Sequence, residues 1–358
     1  MTDTQIKNLQ GDCAQSFKGI GEVLDELRNQ TLLITGGTGF MGKWLTEAIV
    51  YLNAIHDYKI KLYLLARNIE AFRVSVPHLA KHKFIYLINQ DVRTVSDLPN
   101  DINYVIHAAA SPDSREHNTQ PLKTVDTIVK GTSNILEACW RLQDLRKFIN
   151  ISSNNIYGHV ASNEQGIAEN EMGYLDCNSI GSIYAESKRT AEAICAAFKN
   201  QQRLPIITVR PFTFIGPYQS LEKPWAANSF MRDALLGGPI RILGDENTVR
   251  SYLYGSDMAI WLLKILAVGK VNAVYNIGGI EAISLKDLAK KIAEQFSTKI
   301  EIQVKSSKDF SSSNRFNTPN LESLKKDCNV VQQIGLIEAI KKTIAANKFK
   351  ENIYFESF

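Results

Sequence analysis

A tyrosine and a lysine stand four positions apart, at Tyr184 and Lys188, in a stretch whose pattern predicts a helix continuing through Ala197. Side chains four residues apart lie on one face of a helix, so these two would be neighbours. A nearby ammonium favours the phenolate form and lowers the pKa of a tyrosine toward the range useful for proton transfer. This spacing is also common on solvated helix faces, so it indicates acid–base chemistry only in combination with other groups.

A third group of this kind is Ser153, which follows the apolar stretch Phe148–Ser152. That stretch predicts a strand, and open parallel sheets bind ligands beyond the carboxyl ends of their strands. A hydroxyl at this position can hydrogen-bond the substrate oxygen that gains or loses a proton. We therefore predict that Ser153, Tyr184 and Lys188 form a catalytic set, in which Lys188 also holds the ribose of a nicotinamide coenzyme.

A glycine-rich loop lies between a short apolar segment and a helical pattern that runs from Lys43 onward. In such loops one glycine permits a tight turn, one lets a pyrophosphate approach the backbone, and one lets helix and strand pack closely. The helix N-terminus then offers free N–H groups and a partial positive charge to the phosphates. The loop predicts dinucleotide binding, with contacts from Gly36, Gly39, Phe40, Met41 and Gly42.

The residues after the second and third predicted strands bear on the choice of coenzyme. An acidic residue after the second strand would bind a ribose 2′-hydroxyl, but this chain has Arg67 there. Arg67 could pair with a 2′-phosphate, stack on the adenine or lie in solvent, which gives a slight preference for NADP over NAD. Asp91 and Val92 could flank the adenine ring, although an aspartate in a surface loop is by itself the more ordinary explanation.

These residues need a scaffold, and short apolar segments separated by helical stretches supply one. Continuous apolar strands that alternate with helices predict a parallel sheet covered on both faces. The fold class expected is α/β, a Rossmann-type doubly wound parallel sheet with a smaller C-terminal α/β substrate domain. The predicted strands are Thr31–Thr35, Lys61–Leu65, Phe84–Ile88, Tyr104–His107, Phe148–Ser152, Ile206–Val209 and Val274–Ile277, with a further one at Ile300–Val304.

The pattern divides the chain into three parts. Residues 1–30 form a helical extension, because the apolar residues between Ile20 and Leu27 have helical spacing. Residues 31–210, with about 255–278, form the coenzyme domain. Residues 211–254 and 279–358 form the substrate domain, which includes a polar loop at 306–313.

Composition restricts the function. A net charge of +4 in 358 residues, with no basic block, argues against nucleic-acid binding. The five cysteines lack metal-ligand spacing, which argues against a metal site and fits a reducing compartment. The N-terminal residues lack the features of a signal peptide, and the apolar runs are too short to span a bilayer. We expect a cytoplasmic protein without membrane attachment.

Several motifs together resemble the extended short-chain dehydrogenase/reductase family, in its NAD-dependent epimerase/dehydratase group. They are the glycine loop, His107–Ala110, Ser152–Gly158, the Tyr184/Lys188 pair, Arg210–Phe212, Arg250–Tyr252 and Tyr275–Gly278. The resemblance implies a nucleoside-diphosphate sugar bound between the two domains, and coenzyme contacts from Ala108, Ala109 and Ala110. It also implies substrate contacts from Asn154, Asn155, Asn228, Arg250 and Arg315, because arginine binds diphosphates well.

Departures from the family pattern narrow the reaction. Sugar 4,6-dehydratases of this family typically have Asp and Glu where this chain has Asn154 and Asn155, and the decarboxylases typically have Glu at the second position. Amides are neither acids nor bases near neutral pH. Hydride chemistry at C4 without elimination remains, either as a 4-epimerase or as a 4-ketoreductase. Dehydratase or decarboxylase activity stays as an alternative, and Thr213 and Ile128 replace asparagines of other members.

Two further expectations follow. The chain could be an NAD(P)-binding regulatory protein without catalysis, although the complete set of Ser153, Tyr184 and Lys188 argues against that. The resemblance also implies a homodimer joined through two long helices, at Asp126–Arg141 and Tyr184–Lys199, each burying an apolar stripe.

Overall fold

The computed structural model describes residues 1–160, 165–305 and 316–355, with side chains through residue 348. Arg315 and the predicted polar loop at 306–313 lie outside the described residues. The strands are β1 (Thr31–Thr35), β2 (Lys61–Ala66), β3 (Ile85–Asn89), β4 (Tyr104–His107), β5 (Lys147–Ile151), β6 (Ile206–Pro211), β7 (Thr213–Ile215), β8 (Ile240–Ile242), β9 (Val249–Tyr254), β10 (Val274–Ile277), β11 (Ala282–Ser284), β12 (Ile302–Val304) and β13 (Phe316–Asn317).

The α-helices surround these strands. They are α1 (Asp3–Phe17), α2 (Phe40–His56), α3 (Ile69–Ser75), α4 (Pro77–Ala80), α5 (Ser114–Thr119), α6 (Pro121–Val125), α7 (Gly131–Trp140), α8 (Ile183–Gln202), α9 (Ala226–Leu235), α10 (Gly255–Val268), α11 (Leu285–Ala293), α12 (Glu322–Cys328) and α13 (Leu336–Phe355). A π-helical turn at Asp126–Lys130 joins α6 to α7.

Seven strands form one parallel sheet in the order β10-β6-β5-β4-β1-β2-β3. This arrangement confirms the predicted Rossmann-type fold. Strand β1 is buried along its whole length, and its alternate residues lie on opposite faces of the sheet. Leu32 and Ile34 belong to the core under α2 and α10, whereas Leu33 belongs to the core that includes residues of α7 and α8. The carboxyl ends of β1, β4 and β5 therefore meet at one edge.

Short strands form a second layer of structure near that edge. β9 pairs with β7 and β13 in parallel and with β11 antiparallel, while β8 pairs with β12. Helices α9 and α11 pack against β8. The predicted strand at Ile300–Val304 is present in shortened form as β12.

The N-terminal extension differs in detail from the prediction. Residues Gly21–Leu27 form a 3-10 helix rather than an α-helix, and a 15-residue α-helix, α1, precedes it. Thr2 and Gln5 form a capping box at the start of α1, which satisfies backbone N–H groups there. α1 then packs on α2 and α10. Among the helices described, none is long and apolar enough to cross a membrane.

Candidate active site

The glycine loop contains two glycines that the protein's own packing requires. Gly36 has φ +68°, and a Cβ there would lie 2.7 Å from the carbonyl oxygen of Ala108. A Cβ on Gly42 would lie 2.2 Å from the carbonyl oxygen of Gly37. Gly39 is different, because a Cβ there would meet just the Gly36 oxygen, at 3.3 Å. Room at Gly39 is therefore left for something outside the chain.

The helix that follows this loop begins without a side-chain cap. Gly39 is the N-cap of α2, and Lys43 donates the first intrahelical N–H bond, back to the Gly39 carbonyl at 2.9 Å. No acidic residue lies in the first turn. The N-terminal N–H groups, including those of Phe40 and Met41, thus give this end of the helix a partial positive charge. An anion such as a pyrophosphate fits this position.

The residues predicted to contact the rest of the coenzyme lie along the same sheet edge. Ala108, Ala109 and Ala110 follow β4, and the last of them lines a cleft that also includes the exposed Arg67. The Asp91 carboxylate is held by Arg93 in a bidentate contact at 2.8 to 3.1 Å. The Asp91 carboxylate therefore already has a partner within the protein, the guanidinium of Arg93. Val92 is buried against Gly131.

Ser153 lies just beyond the end of β5, and Tyr184 and Lys188 lie on the first turns of α8. These are the positions that the sequence predicted. All three are buried. Burial raises the pKa of Tyr184 to about 12, while its hydrogen-bonding interaction with Ser153 lowers it. Burial lowers the pKa of Lys188 to about 8. Lys188 donates to the Ile151 carbonyl at 2.7 Å, which fixes the ammonium beside the strand end.

A buried histidine next to this set stays neutral. His107 lies between Thr35 and Thr132, with its Nδ1 2.7 Å from the first hydroxyl and its Nε2 3.2 Å from the second. The Thr132 hydroxyl already donates to the Ile128 carbonyl, so His107 Nε2 is the donor to it. Burial and the Lys188 charge lower the pKa of His107 to about 3. Through these hydrogen bonds the histidine connects β1, β4 and α7, and it does not act as an acid in the site.

The tyrosine ring has two close neighbours that the sequence analysis did not assign to it. The ring of His117, on α5, lies parallel to the ring of Tyr184, with centroids 4.2 Å apart and planes at 7°. Ile128, on the π-helical turn, is clustered with Tyr184, Ala191 and Ala110. No spacing rule would have found His117, because its contact depends on how α5 packs near α8.

Two of the motifs shared with the family are structural. Arg210 binds Glu192 in a bidentate pair at 2.7 and 3.0 Å and also contacts the Tyr157 hydroxyl at 3.1 Å. Tyr157 donates in turn to the side chain of Asn276 at 2.6 Å. This buried network connects β6, β10, α8 and the turn that carries Ser153. Its role is to hold the strand ends in register.

The predicted substrate residues have different surroundings. Arg250 is largely buried and has no carboxylate partner among the described residues, and its guanidinium contacts the Val249 carbonyl at 2.8 Å. Burial lowers the pKa of Arg250. Asn154 donates to Asn317 of β13 at 3.0 Å, and Asn155 is exposed. Asn228 is buried and binds the Ser220 carbonyl at 2.9 Å, so its amide supports the preceding loop.

An ion pair joins the segment that follows β4 of the main sheet to the segment between β7 and α9. Asp113 follows β4 and binds Arg115, and it also binds Lys223 at 2.9 Å. Lys223 lies between β7 and α9. These two cations hold the pKa of the buried Asp113 carboxyl well below its usual range. Asp113 therefore links the segment that follows β4 to the segment between β7 and α9.

The fold and this arrangement define a class: dinucleotide-binding α/β proteins with a serine, tyrosine and lysine set at the strand ends. The model of the NAD dependent epimerase/dehydratase family matches residues 32–278, and the chain belongs to that family.

Relatives of known name share part of this sequence. UDP-glucuronic acid decarboxylase 1 of Xenopus tropicalis is 25% identical over 290 residues, and the match covers 81% of this chain and 66% of the relative. A trifunctional UDP-glucose 4,6-dehydratase/UDP-4-keto-6-deoxy-D-glucose 3,5-epimerase/UDP-4-keto-L-rhamnose-reductase of Arabidopsis thaliana is 29% identical over 273 residues, covering 75% of this chain and 40% of the relative. The chain thus spans less than two thirds of either relative.

Among solved structures, a mutant UDP-glucuronic acid 4-epimerase from Bacillus cereus, in complex with NAD and a fluorinated UDP-glucuronic acid, has a TM-score of 0.75 to this chain. Its sequence is 22% identical, and the match covers 90% of this chain and all of that one. At this level of identity the likeness concerns the fold.

Proposed function

We propose that this protein is an NAD(P)-dependent enzyme that transfers hydride at C4 of a nucleoside-diphosphate sugar without eliminating water. The observation that carries the proposal is the buried set of Ser153, Tyr184 and Lys188 beside an uncapped helix N-terminus. Arg250, a largely buried guanidinium without a carboxylate partner among the described residues, suits the diphosphate. The named relatives and structural neighbours act on or bind nucleotide sugars by their names, which supports the substrate class.

In this proposal Tyr184 moves a proton to or from the sugar C4 oxygen. The bound coenzyme supplies or accepts the hydride at C4. Because burial raises the pKa of the phenol, Tyr184 is protonated in the free protein, as a proton donor for carbonyl reduction must be. Ser153 hydrogen-bonds the same sugar oxygen and polarises it. Lys188 holds the coenzyme ribose and, while it is charged, favours the phenolate that forms.

The chain offers no acid or base from the two positions that follow Ser153. Asn154 is engaged with Asn317, and Asn155 is a second amide. Neither can remove a C5 proton, which favours a 4-epimerase or 4-ketoreductase over a 4,6-dehydratase. Decarboxylation stays as the second candidate, because a decarboxylase is among the named relatives.

We propose a preference for NADP over NAD on the basis of Arg67. Its exposed guanidinium lies just beyond β2 and lines the same cleft as Lys123, so two cations are available to a 2′-phosphate. Titration of both coenzymes tests the idea directly. Arg67→Asp should shift the preference toward NAD. An unchanged ratio of the two affinities would place Arg67 outside the site.

One experiment tests the function as a whole. Thermal shift with UDP, dTDP, GDP and CDP sugars identifies the nucleotide, and coenzyme absorbance with 4-keto and 4-hydroxy forms of that sugar follows the reaction. Stoichiometric NAD(P)H consumption by the 4-keto sugar indicates a ketoreductase. Inversion at C4 without net coenzyme change indicates an epimerase. Coenzyme binding with no turnover of any of these sugars would overturn the proposal and favour a regulatory binding protein.

The cellular location and the oligomeric state of the enzyme are proposals too. We propose that it works in the cytoplasm, because the five cysteines are unpaired and four of them are buried thiols, which suits a reducing compartment. We also propose a homodimer, tested below.

A further inference from the structure

The ring of Tyr184 is held from one side by the ring of His117. The two planes are nearly parallel, at 7°, and the centroids are 4.2 Å apart, so the contact is face to face. Both residues are buried, with 7% of His117 and 8% of Tyr184 exposed. Two flat rings in this contact constrain each other's plane, and the plane of a phenol sets the direction in which its hydroxyl points.

The imidazole is itself fixed. Its Nε2 lies 2.7 Å from the carbonyl oxygen of Ser111, and because a carbonyl can only accept, Nε2 carries the proton. The helix that carries His117 is capped by Asp113, whose carboxylate accepts from the Arg115 N–H at 3.0 Å. Asp113 is buried and also bound to Lys223. The hydrogen bond to Ser111 and the capped helix that carries the residue therefore set the orientation of the His117 ring.

Besides the Ser153 hydroxyl, aliphatic groups contact Tyr184. Ile128, Ala191 and Ala110 cluster around it, and none of these side chains is planar, so none defines a ring plane. A planar, hydrogen-bonded neighbour restricts the phenol more tightly. Proton transfer depends on this restriction, because a misplacement of 1 Å in a reacting group can lower the rate by about 10²-fold.

We infer that His117 is a positioning residue for Tyr184: its ring fixes the plane of the phenol and so directs the hydroxyl toward Ser153 and the substrate oxygen. This inference rests on the proposed role of Tyr184 in proton transfer. His117 does not exchange the proton itself. The effect comes from the shape and fixed orientation of the ring.

Two variants separate the ring from its hydrogen bond. His117→Phe keeps a flat ring and removes the Nε2–H donor to Ser111, whereas His117→Gln keeps an N–H donor of similar reach and removes the ring. We expect His117→Gln to lower kcat by up to ~10²-fold, with KM and coenzyme affinity nearly unchanged, and His117→Phe to restore most of kcat. His82→Phe is the matched control, since His82 contacts Phe84 at a distance from the site.

A measurement without substrate tests the contact independently of the proposed reaction. In the holoprotein labelled with ¹³C-tyrosine, the ring signals of Tyr184 are those lost in Tyr184→Phe. A stacked ring displaces them upfield, so the displacement should persist in His117→Phe and disappear in His117→Gln. Wild-type kcat in His117→Gln, or an equal loss of kcat in both variants, would overturn the inference. Full activity of Tyr184→Phe would instead overturn the proposed function while leaving the NMR result intact.

Discussion

At the scale of single residues, burial sets the properties of the candidate catalytic groups. It raises the pKa of Tyr184 to about 12 and lowers that of Lys188 to about 8, so the two values, which are ordinarily close together, move apart. At neutral pH the free protein holds a protonated phenol and a mostly protonated amine. Burial thus provides an acid in its proton-donating form beside a cation that can stabilise the conjugate base.

Tyr184→Phe should lower turnover by roughly 10²–10⁴-fold, the usual contribution of one general acid or base. Coenzyme affinity should change little, because the phenyl ring keeps its stack on His117. Lys188→Ala, in contrast, should weaken coenzyme binding and turnover together. Steady-state kinetics and coenzyme titration measure both. Turnover in heavy water should leave C5 of the product unlabelled, and deuterium at C5 would revive the dehydratase alternative.

The Lys188 ammonium also predicts a pH dependence. Its pKa of about 8 means that the cation is present below that pH and is lost above it. The value of kcat/KM, which reports ionisations of the free enzyme, should therefore fall as pH rises through about 8. Lys188→Arg should move this alkaline limb upward even if the maximum is lower, because arginine stays charged.

Lys264→Arg is the matched control for that experiment. Lys264 is likewise a buried lysine that donates to a backbone carbonyl, that of Asn329 at 2.7 Å, and burial lowers its pKa too. It lies on α10, away from the candidate site. An identical shift of the limb in both variants would show that the pH dependence does not arise at Lys188.

The glycines of the loop should respond differently to substitution. Gly39→Val should abolish coenzyme binding while the protein still folds, because the new side chain meets little of the protein's own backbone. Gly36→Val should instead destabilise the fold, since φ is +68° and the Ala108 oxygen is 2.7 Å from the new Cβ. Thermal midpoints and coenzyme titration separate the two effects. Undiminished NAD(P) affinity in a folded Gly39→Val protein would contradict the assignment of the loop.

The residue scale is also where sequence reasoning was most and least informative. Spacing along the chain placed Ser153, Tyr184 and Lys188 at one site, because strand ends and helix faces follow from local periodicity. His117 was missed, since its contact with Tyr184 joins two helices whose packing no local pattern encodes. The occupied side chains of Asp91 and Asn228 were equally invisible, because their partners are set by tertiary structure.

At the scale of elements, the strands of the main sheet were predictable and the smaller ones were not. β1, β4 and β10 have the predicted bounds, because each is a short, mostly apolar and mostly buried run of residues. Of the smaller strands, β12 was predicted, within Ile300–Val304, whereas β7, β8, β11 and β13 have two or three residues each, too few for a periodic signal. Residues 1–30 were predicted to be helical, but the bounds of α1 did not follow from the pattern, because two of the four residues on its buried face, Asp12 and Ser16, are polar.

The Asp113–Lys223 ion pair gives an element-scale prediction. Lys223→Met removes the link between the β7–α9 segment and Asp113, which keeps Arg115 as a partner. The free energy of unfolding should fall by at most ~1 kcal/mol, because Lys223 is about one third exposed. If the link stabilises the position of the β7–α9 segment in the complex by that amount, the KM of the nucleotide sugar should rise about fivefold, with coenzyme affinity unchanged.

Salt provides the control for this prediction. Added salt should raise the KM of the wild type toward that of Lys223→Met and affect the variant less. Lys286→Met, which breaks an exposed pair with Glu246 at 3.0 Å, should leave the KM as it is. An equal change of KM in Lys223→Met and Lys286→Met would show that the Asp113–Lys223 pair does not contribute to substrate binding.

At the scale of the whole molecule, the N-terminal extension and the C-terminal helix α13 are joined to each other and to the end of β9. Buried Asp12 of α1 accepts from the Tyr254 hydroxyl at 2.7 Å and from Lys342 of α13 at 2.6 Å. Ser16 contacts Ser256 of α10 at 2.7 Å. These contacts meet at the junction of β9, which carries Arg250, with α10. The extension is therefore part of the fold that positions the candidate phosphate ligand.

The last prediction concerns assembly, through the helices that the sequence analysis assigned to a dimer. The outward residues of α8 are small or polar, among them Thr190, Ala193, Ala197 and Asn200, rather than the large apolar stripe expected. Small side chains let two helices approach closely, so α8 of one copy can pack on α8 of another. Light scattering at micromolar concentration should give a dimer, and Ala193→Arg with Ala197→Arg should give a folded monomer. Ala71→Arg, on exposed α3, should leave the dimer intact. A monomeric wild type would refute this assembly. A dimer that persists in the Ala193→Arg, Ala197→Arg variant would show that the interface lies elsewhere.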